Sequence, residues 1–439
     1  MAALFHDIEL IYDALHLELV GASLLNFVFF YPLFMSFVWI SGGLYYFLHW
    51  EIHNPGPGSV PSIDQPGMAS LIVPCFNEAE NVAETIRALA RQRHPNFEII
   101  AINDGSTDGT GAALDRLLEI YPRLRVVHHA RNQGKAMALC MGALVAQGEY
   151  LVCIDGDTVL HPNAVAHLVK HFVYSPRVGA VTGNPRIRTR SSLLGRIQVC
   201  EFCSIIGLIK RSQRVYGNIF TVSGAIAAFR RAALHQCGYW PVDKLTEDIA
   251  ASWALQLNHW QIRYEPSAIC WILMPETFRG LWRQRLRWAE GGAQVFLANF
   301  GSVWRWRKRR IWLVVIEYIA SIFWTFALTF TALLWLIGKF TAMPAGLNVP
   351  TLWPPAFWGL LLSASYFVQS LVALAIEARY ERRLWRNFVW IVWYPMAFWL
   401  ISYLTSLVGF TKAYFRAAGR RATWISPDRG LRSSTPSSS

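Results

Sequence analysis

Two aspartates one residue apart, Asp155 and Asp157, follow the apolar run Leu151-Val152-Cys153-Ile154. Like charges that close must be hydrated, paired or bound to a cation, and oxygen ligands of this kind suit Mg²⁺ or Mn²⁺ bridging to phosphates. Taken alone, Asp-Gly-Asp is equally an ordinary turn; its place at the tip of an apolar strand favours the ion. Asp104 opens "DGSTDGT" (104–110), also directly after an apolar run. Such a carboxylate can accept hydrogen bonds from a base or ribose, or sit in a plain turn whose Ser106 or Thr107 caps the next helix. Asp248 lies in "LTEDIAASWAL" (245–255), at the start of what reads as a helix, where acidic residues are favoured in any case. "QRLRW" (284–288) puts Gln284, Arg287 and Trp288 on one helical face, with Arg285 between them. Arginines can hold a diphosphate bidentately and an indole can stack on a sugar, while a basic, aromatic helix lying on a membrane would read the same way. "RNQGKAMAL" (131–139) contains Gly-Lys but neither the earlier Gly nor the following Ser/Thr of a P-loop, which argues against ATP hydrolysis.

These residues need a frame. "SLIVP" (70–74), "FEIIAIN" (97–103), "LRVVHH" (124–129) and "YLVCID" (150–155) are short strands rich in β-branched residues. Helical stretches at about 79–92, 108–121 and 133–147 separate them. The alternation predicts an α/β fold with a doubly wound, mostly parallel sheet. Ligands of such sheets bind beyond the carboxyl ends of the strands, and the polar clusters stand there: Asn77-Glu78, Asp104, and Asp155 with Asp157.

The chain of 439 residues is 54% hydrophobic and only 16% charged, with 20 Trp and 26 Phe. An average soluble protein is about 25% charged, so the composition points to a membrane protein with a globular part. Residues 21–50 hold no Asp, Glu, Lys or Arg, enough for one spanning helix. Segments Ile311–Gly338, Ala356–Ile376 and Phe388–Phe410 are each long enough as well. Glu317, the one ionisable group in these three, is expected to reach the interface, and Pro395 can kink or break the last. The net charge of +13 is uneven: no Lys or Arg precedes Arg87, whereas Arg305, Arg307, Lys308, Arg309 and Arg310 crowd beside a span. That pattern fits membrane topology rather than nucleic-acid binding. It puts the N-terminus outside, the globular part in the cytosol, the 339–355 loop outside and the 379–386 loop inside. The seven cysteines are expected to be reduced thiols; Cys200 and Cys203 form a lone CxxC with no second pair for zinc. The expected organisation is an N-terminal segment (1–20), a span (21–50), a Pro/Gly-rich linker (51–68), a cytosolic catalytic domain (69–278) and interfacial helices with "QRLRW" (279–310). A region of about three spans (311–416) and a basic, partly disordered tail (417–439) follow.

"CFNEAENV", "NDGSTDGT", "IDGDT", "TED" and "QRLRW" resemble, in order and spacing, the processive, membrane-integrated family-two glycosyltransferases. "VGAVTGNPRIRTRS" (178–191), "NIFTVSGAIAAFRR" (218–231), "CWILMPET" (270–277) and "WISPDRG" (424–430) are similar to the branch that makes bacterial poly-β-1,6-N-acetyl-D-glucosamine. The resemblance implies a GT-A type fold and an inverting transfer from UDP-GlcNAc. It implies that Asp104, with Asn77, Glu78 and Lys135, binds the uridine, and that Asp155 and Asp157 hold the metal and diphosphate. Asp248 would be the base; Gln284, Arg285 and Arg287 would grip the departing UDP; Ser223, Gly224, Glu247 and Trp288 would meet the acceptor. It further implies polymer export through the spans, a small membrane partner subunit, and cyclic di-GMP as an activator at a subunit interface, with Arg188, Arg190 or Arg379 as contacts. Rival readings are a cellulose, chitin or hyaluronan type synthase, or a non-processive enzyme acting on a lipid phosphate. "QRLRW" and several spans argue against the last.

Overall fold

The computed structural model describes residues 2–344, 347–349, 356–381, 383–393 and 399–416. The catalytic domain runs β1 (Ala69–Cys75), α2 (Val82–Ala90), β2 (Phe97–Asn103), α3 (Thr110–Ile120), β3 (Leu124–His128), α4 (Lys135–Val145) and β4 (Tyr150–Ile154), after the long helix α1 (Ala2–Tyr46). It continues through β5 (Val159–Leu160), α5 (Ala164–Val173), β6 (Val178–Ile187), α6 (Leu193–Phe202), α7 (Lys210–Tyr216), β7 (Ile226–Arg230), α8 (Arg231–Gln236), α9 (Glu247–Leu257) and β8 (Gln261–Ile272). The strands form one sheet in the order β3-β2-β1-β4-β7-β6-β8-β5. β1 to β4 are parallel, as their sequences predict. β1, β2 and β4 are buried along their whole length, which is why they read as unbroken apolar runs rather than as alternating ones.

The antiparallel half has a consequence for the site. β7 pairs against β4 with Ile226 opposite Ile154. The start of β7 therefore lies beside the end of β4, bringing the Ser223-Gly224 turn next to Asp155. Parallel pairing would have put that turn at the opposite end of the sheet.

Among the described residues, three helical stretches are long and apolar enough to cross a membrane: Gly21–Glu51, Trp306–Gly338 and Trp358–Glu377. They correspond to α1 with its short continuation, to α11 (Trp312–Gly338) with the 3-10 turn Trp306–Ile311 before it, and to α12 (Ala356–Glu377). Between the sheet and α11 runs α10 (Phe278–Val303), capped by the Thr277 hydroxyl, which accepts from Gly280 N at 3.1 Å. The expected span Phe388–Phe410 is not one helix among the described residues. A 3-10 helix covers Leu384–Trp393, and α13 (Leu400–Phe415) has 16 residues, a rise of about 24 Å against a hydrocarbon core of about 30 Å. Pro395, Arg382 and the tail 417–439 lie outside the described residues.

The catalytic domain is tied to the spans by a buried charge cluster. Arg211, fully buried on α7, donates from Nε and Nη2 to Glu51 at 2.6 and 2.8 Å and also bonds Glu377 at the end of α12. Arg186 of β6 also bonds Glu377, Asn184 donates to it at 3.2 Å, and Tyr380 donates to Glu51 at 2.6 Å. Two arginines against two glutamates leave no net buried charge, the condition under which such a cluster is tolerated. Removing any one member would strand its partners in a dry site.

Candidate active site

The strand ends meet in one cleft, and Lys135 ties it together. At the first residue of α4, its ammonium lies 2.7 Å from Asp155 Oδ1 and 2.8 Å from Glu247 Oε1. The metal-type motif after β4 and the "TED" turn before α9 are thus joined through a single cation. A Cβ added at Gly224 would lie 3.3 Å from Lys135 Nζ and 3.2 Å from Asp248 Oδ2. Lys135, Asp155, Gly224, Glu247 and Asp248 therefore share one small volume. Burial favours a neutral lysine, but the two carboxylates outweigh it and hold the ammonium above its ordinary range.

Asp248 is the perturbed acid of the group. Burial, then repulsion from Glu247, pushes its carboxyl up from 3.8 to about 6; Lys135, the Ile249 N–H (2.9 Å to Oδ1) and Arg287 oppose the rise. Glu247 goes the other way. Burial would raise it, but Lys135 overrides that and keeps it below the usual carboxylate range. Two adjacent carboxyls with their affinities pushed apart is the pattern of a proton acceptor beside a structural anion.

A second buried cation, unforeseen from the sequence, sits beneath them. Lys210 Nζ donates to Thr182 Oγ1 at 3.2 Å, and the same hydroxyl accepts from Ser223 N at 2.8 Å. Burial pulls Lys210 down to about 8, against the attraction of Asp248. This network holds the Ser223-Gly224 turn under Asp248.

On the other side of the cleft, Asn77 has a positive φ of 56° and its Oδ1 accepts from Thr107 N at 2.9 Å. Its conformation locks the loop after β1 to the loop after β2. Glu78 is buried, its backbone N–H bonded to Thr110 Oγ1 at 2.7 Å, and its Cγ would lie 3.0 Å from a Cβ at Gly156. It therefore backs the Asp155–Asp157 turn, which Thr85 also grips through the Gly156 carbonyl at 2.9 Å.

The expectation that Asp104 faces the nucleotide meets a different arrangement. Asp104 is fully buried and accepts from His129 Nδ1 at 2.8 Å, Gln133 N at 3.0 Å and Gly134 N at 2.9 Å. These bonds fold the 129–134 loop onto the end of β2, and Gly105 (φ 65°) permits it, since a Cβ there would strike the Arg131 and Asn132 backbone. Sequence reading missed His129, although its place just beyond β3 and opposite Asp104 was available as a signal.

The "QRLRW" segment divides in the same way. Arg287 is exposed, makes no ion pair among the described residues, and is close enough to lower both Glu247 and Asp248. Arg285 points inward. Its Nη2 lies 2.7 Å from Glu201 on α6, the two side chains are 7% and 1% exposed, and its guanidinium stacks 4.4 Å from the Trp288 ring. Arg285, expected to grip the diphosphate, is thus buried between Glu201 and the Trp288 ring. Gln284 Nε2 contacts Met274 Sδ at 3.7 Å, and its buried Oε1 has no partner among the described residues. What lets α10 approach the "TED" turn is Gly291, where a Cβ would lie 2.8 Å from Thr246 Cβ and closer still to its Oγ1 and Cγ2.

Asp155 and Asp157 are partly and largely buried at the end of β4, and no cluster of three or more His, Cys, Asp or Glu side chains is placed to hold a metal ion among the described residues. Two carboxylates suit Mg²⁺ or Mn²⁺, which commonly takes its remaining ligands from water and substrate phosphates. All seven cysteines are unbridged, Cys75, Cys153, Cys200, Cys203 and Cys270 among them buried.

A second cavity, of about 370 Å³, lies among α1, α11, α12 and α13, lined by Tyr31, Trp39, Glu317, Tyr318, Trp324 and Tyr403 among others. Glu317, expected to reach the interface, lies on the wall of this cavity. Its carboxylate accepts from Trp39 Nε1 at 3.0 Å, Gln213 Nε2 at 3.1 Å and Tyr216 OH at 2.6 Å. Three donors from two other helices hold the charge inside, on the cavity wall.

Fold and cleft are those of a nucleotide-sugar glycosyltransferase, and the comparisons with known proteins agree: the chain belongs to glycosyl transferase family 2, whose profile matches residues 70–238. It is 40% identical over 410 residues to the poly-beta-1,6-N-acetyl-D-glucosamine synthase of Staphylococcus epidermidis, covering 92% of this chain and 98% of that one. To the synthase of the same name from Staphylococcus aureus (strain COL) it is 39% identical over 411 residues, with the same coverage. Among solved structures, the mannosyltransferase PcManGT from Pyrobaculum calidifontis, in complex with GDP-Man and Mn²⁺, shares the fold. The TM-score is 0.62 at 20% identity, over 91% of this chain and 99% of that one.

Proposed function

We propose that this protein is a membrane-bound, inverting N-acetylglucosaminyltransferase that polymerises UDP-GlcNAc into poly-β-1,6-N-acetyl-D-glucosamine. The observation that carries this reading is the cluster of Asp155, Lys135, Glu247 and Asp248 around one cleft, in a chain similar over nearly its full length to synthases of that polymer. Asp248 takes the proton from the 6-hydroxyl of the acceptor sugar. The freed oxygen attacks the anomeric carbon as the bond to the UDP β-phosphate oxygen breaks, and that electron pair leaves with UDP. One displacement needs one base and no carboxylate nucleophile. Asp155 and Asp157 would hold Mg²⁺ or Mn²⁺, which supplies charge stabilisation for the leaving diphosphate. Arg287, exposed and without an ion pair among the described residues, adds to that stabilisation. Asn77 and Glu78 shape the uridine pocket, and Asp104 acts on it through the 129–134 loop. Ser223, Gly224 and Trp288 form the acceptor end, the turn supported by Lys210 and the indole by Arg285.

The membrane cavity is the proposed path of the growing polymer. Its aromatic rings offer stacking faces to sugars, and an intramembrane carboxylate on a cavity wall is ordinarily functional. Processivity, cytosolic orientation of the catalytic domain in the bacterial inner membrane and a small membrane partner subunit belong to the same proposal. The three arginines named as cyclic di-GMP contacts do not support that part: Arg188 pairs with Glu84 (2.7 Å), Arg190 with Glu381, and Arg379 donates to the carbonyls of Glu51 and Ile52, both at 3.0 Å.

The test is to incubate membranes containing the protein with labelled UDP-GlcNAc and Mg²⁺ and digest the product. The expected polymer is cut by a β-1,6-hexosaminidase. A product that resists this enzyme and yields to chitinase overturns the linkage.

A further inference from the structure

A cavity of about 400 Å³ lies where the catalytic domain meets the basic turn Trp306–Ile311, away from both the cleft and the polymer path. Its walls include Arg177, Asn258, Trp260, Arg307, Arg309 and Arg310, and no acidic residue. None of the four guanidinium groups pairs with a carboxylate among the described residues; Arg309 bonds the Trp306 carbonyl at 3.4 Å and stacks on its ring. The charges come from two separate parts of the fold. Arg177 precedes β6, and its carbonyl is held by Gln261 N at 3.0 Å, while the other three precede α11.

Four like charges around one cavity repel each other. The four arginine side chains are exposed at the cavity mouth, while fixed neutral groups hold the wall between them. Trp260 Nε1 donates to Gln236 Oε1 at 2.9 Å, and Asn218 Nδ2 bonds the Arg310 carbonyl. An arginine-lined pocket without a counter-charge suits a phosphate, which accepts paired N–H bonds from each planar fork. Its place beside a membrane span also fits a lipid. The candidate span Trp306–Gly338 begins in this basic turn, and Trp304, Trp306 and Leu313 are exposed at 40%, 69% and 54%. Aromatic and apolar side chains flanking basic ones mark the headgroup level of a bilayer. We infer that this cavity binds the phosphate headgroup of an anionic membrane phospholipid. Asn258 also caps the C-terminus of α9, the helix whose first turn carries Asp248, so an occupant braces the catalytic base from its far end.

The full chain in nanodiscs of phosphatidylcholine doped with phosphatidylglycerol provides the test, with native mass spectrometry counting retained lipid. One phosphatidylglycerol per chain is expected to persist. R177Q/R310Q is expected to weaken its retention about thirtyfold, given the attraction of each basic residue for an anionic surface. R307Q/R309Q, at the other two exposed arginines of the cavity, is a second variant should the first fold poorly, with the same loss expected. R305Q, from the same basic run but outside the cavity, should leave the retained lipid in place. An equal loss in R305Q would show diffuse attraction and overturn the site. Displacement of the lipid by inorganic pyrophosphate, with equal binding of pyrophosphate to lipid-free protein in detergent, would overturn the lipid assignment in favour of a soluble phosphate ligand.

Discussion

Asp248 stands between a cation and an anion, so its affinity for a proton can be moved in either direction. In the intact cleft it titrates near 6. A proton acceptor must be ionised, so turnover is lost as pH falls through that value, and the acid limb of kcat/KM for the free enzyme should bend near 6. Lys135 Nζ and Asp248 Oδ2 lie 3.3 and 3.2 Å from a common point, hence no more than 6.5 Å apart. At an effective dielectric of about 20 to 40, that separation gives an attraction of about 1.3 to 2.6 kcal/mol, equivalent to roughly one to two pH units. Lys135→Met should therefore move the acid limb up to about 7 to 8, whereas Glu247→Gln, which removes the neighbouring anion, should move it down towards about 5. Lys135→Arg keeps the charge and should leave the limb near its wild-type position. The assay is the pH profile of kcat/KM for UDP-GlcNAc, with UDP binding followed separately. Should K135M and E247Q shift the limb in the same direction, or not at all, Asp248 is not the titrating base and the charge argument fails.

Other consequences are simpler to read. Arg285→Ala breaks the buried pair with Glu201 and should cost about 3–5 kcal/mol, seen as a lower melting temperature; Arg287→Ala should leave melting unchanged and reduce turnover. Gly291→Ala should separate α10 from the "TED" turn, costing about 1–3 kcal/mol and most activity. Gly292→Ala, whose Cβ meets nothing closer than 3.7 Å, should be neutral in the same melting and turnover assays. Glu317→Leu leaves Trp39, Gln213 and Tyr216 donors without their acceptor in the membrane cavity, and should shorten the polymer, measured by size-exclusion chromatography, while UDP release per protein in the first turnovers is kept. Chelation with EDTA should abolish synthesis and added Mn²⁺ or Mg²⁺ restore it, with Asp157→Asn raising the metal concentration needed for half-maximal rate.

The sequence by itself determined the parallel half of the sheet and the place of its carboxylates. Buried parallel strands must be continuously apolar, so the residues ending those runs had to lie at the sheet's carboxyl edge; Asp155, Asp157, Asp104 and Glu78 were legible for that reason. The apolar lengths of α1, α11 and α12 were legible too, because a bilayer sets a minimum length. Which charged groups are buried and which stand open at the cleft depends on the tertiary fold. Arg285 and Arg287 stand two residues apart in one motif, yet Arg285 turns inward because its partner Glu201, 84 residues away, waits on α6. Asp104 is drawn under the 129–134 loop by His129, Lys135 is stretched between Asp155 and Glu247, and Glu317 is held on the cavity wall by donors from two other helices. Local periodicity reports which side of its own element a residue occupies. The partner across the fold, whose charge or hydrogen bond fixes the side chain, is a property of the folded chain.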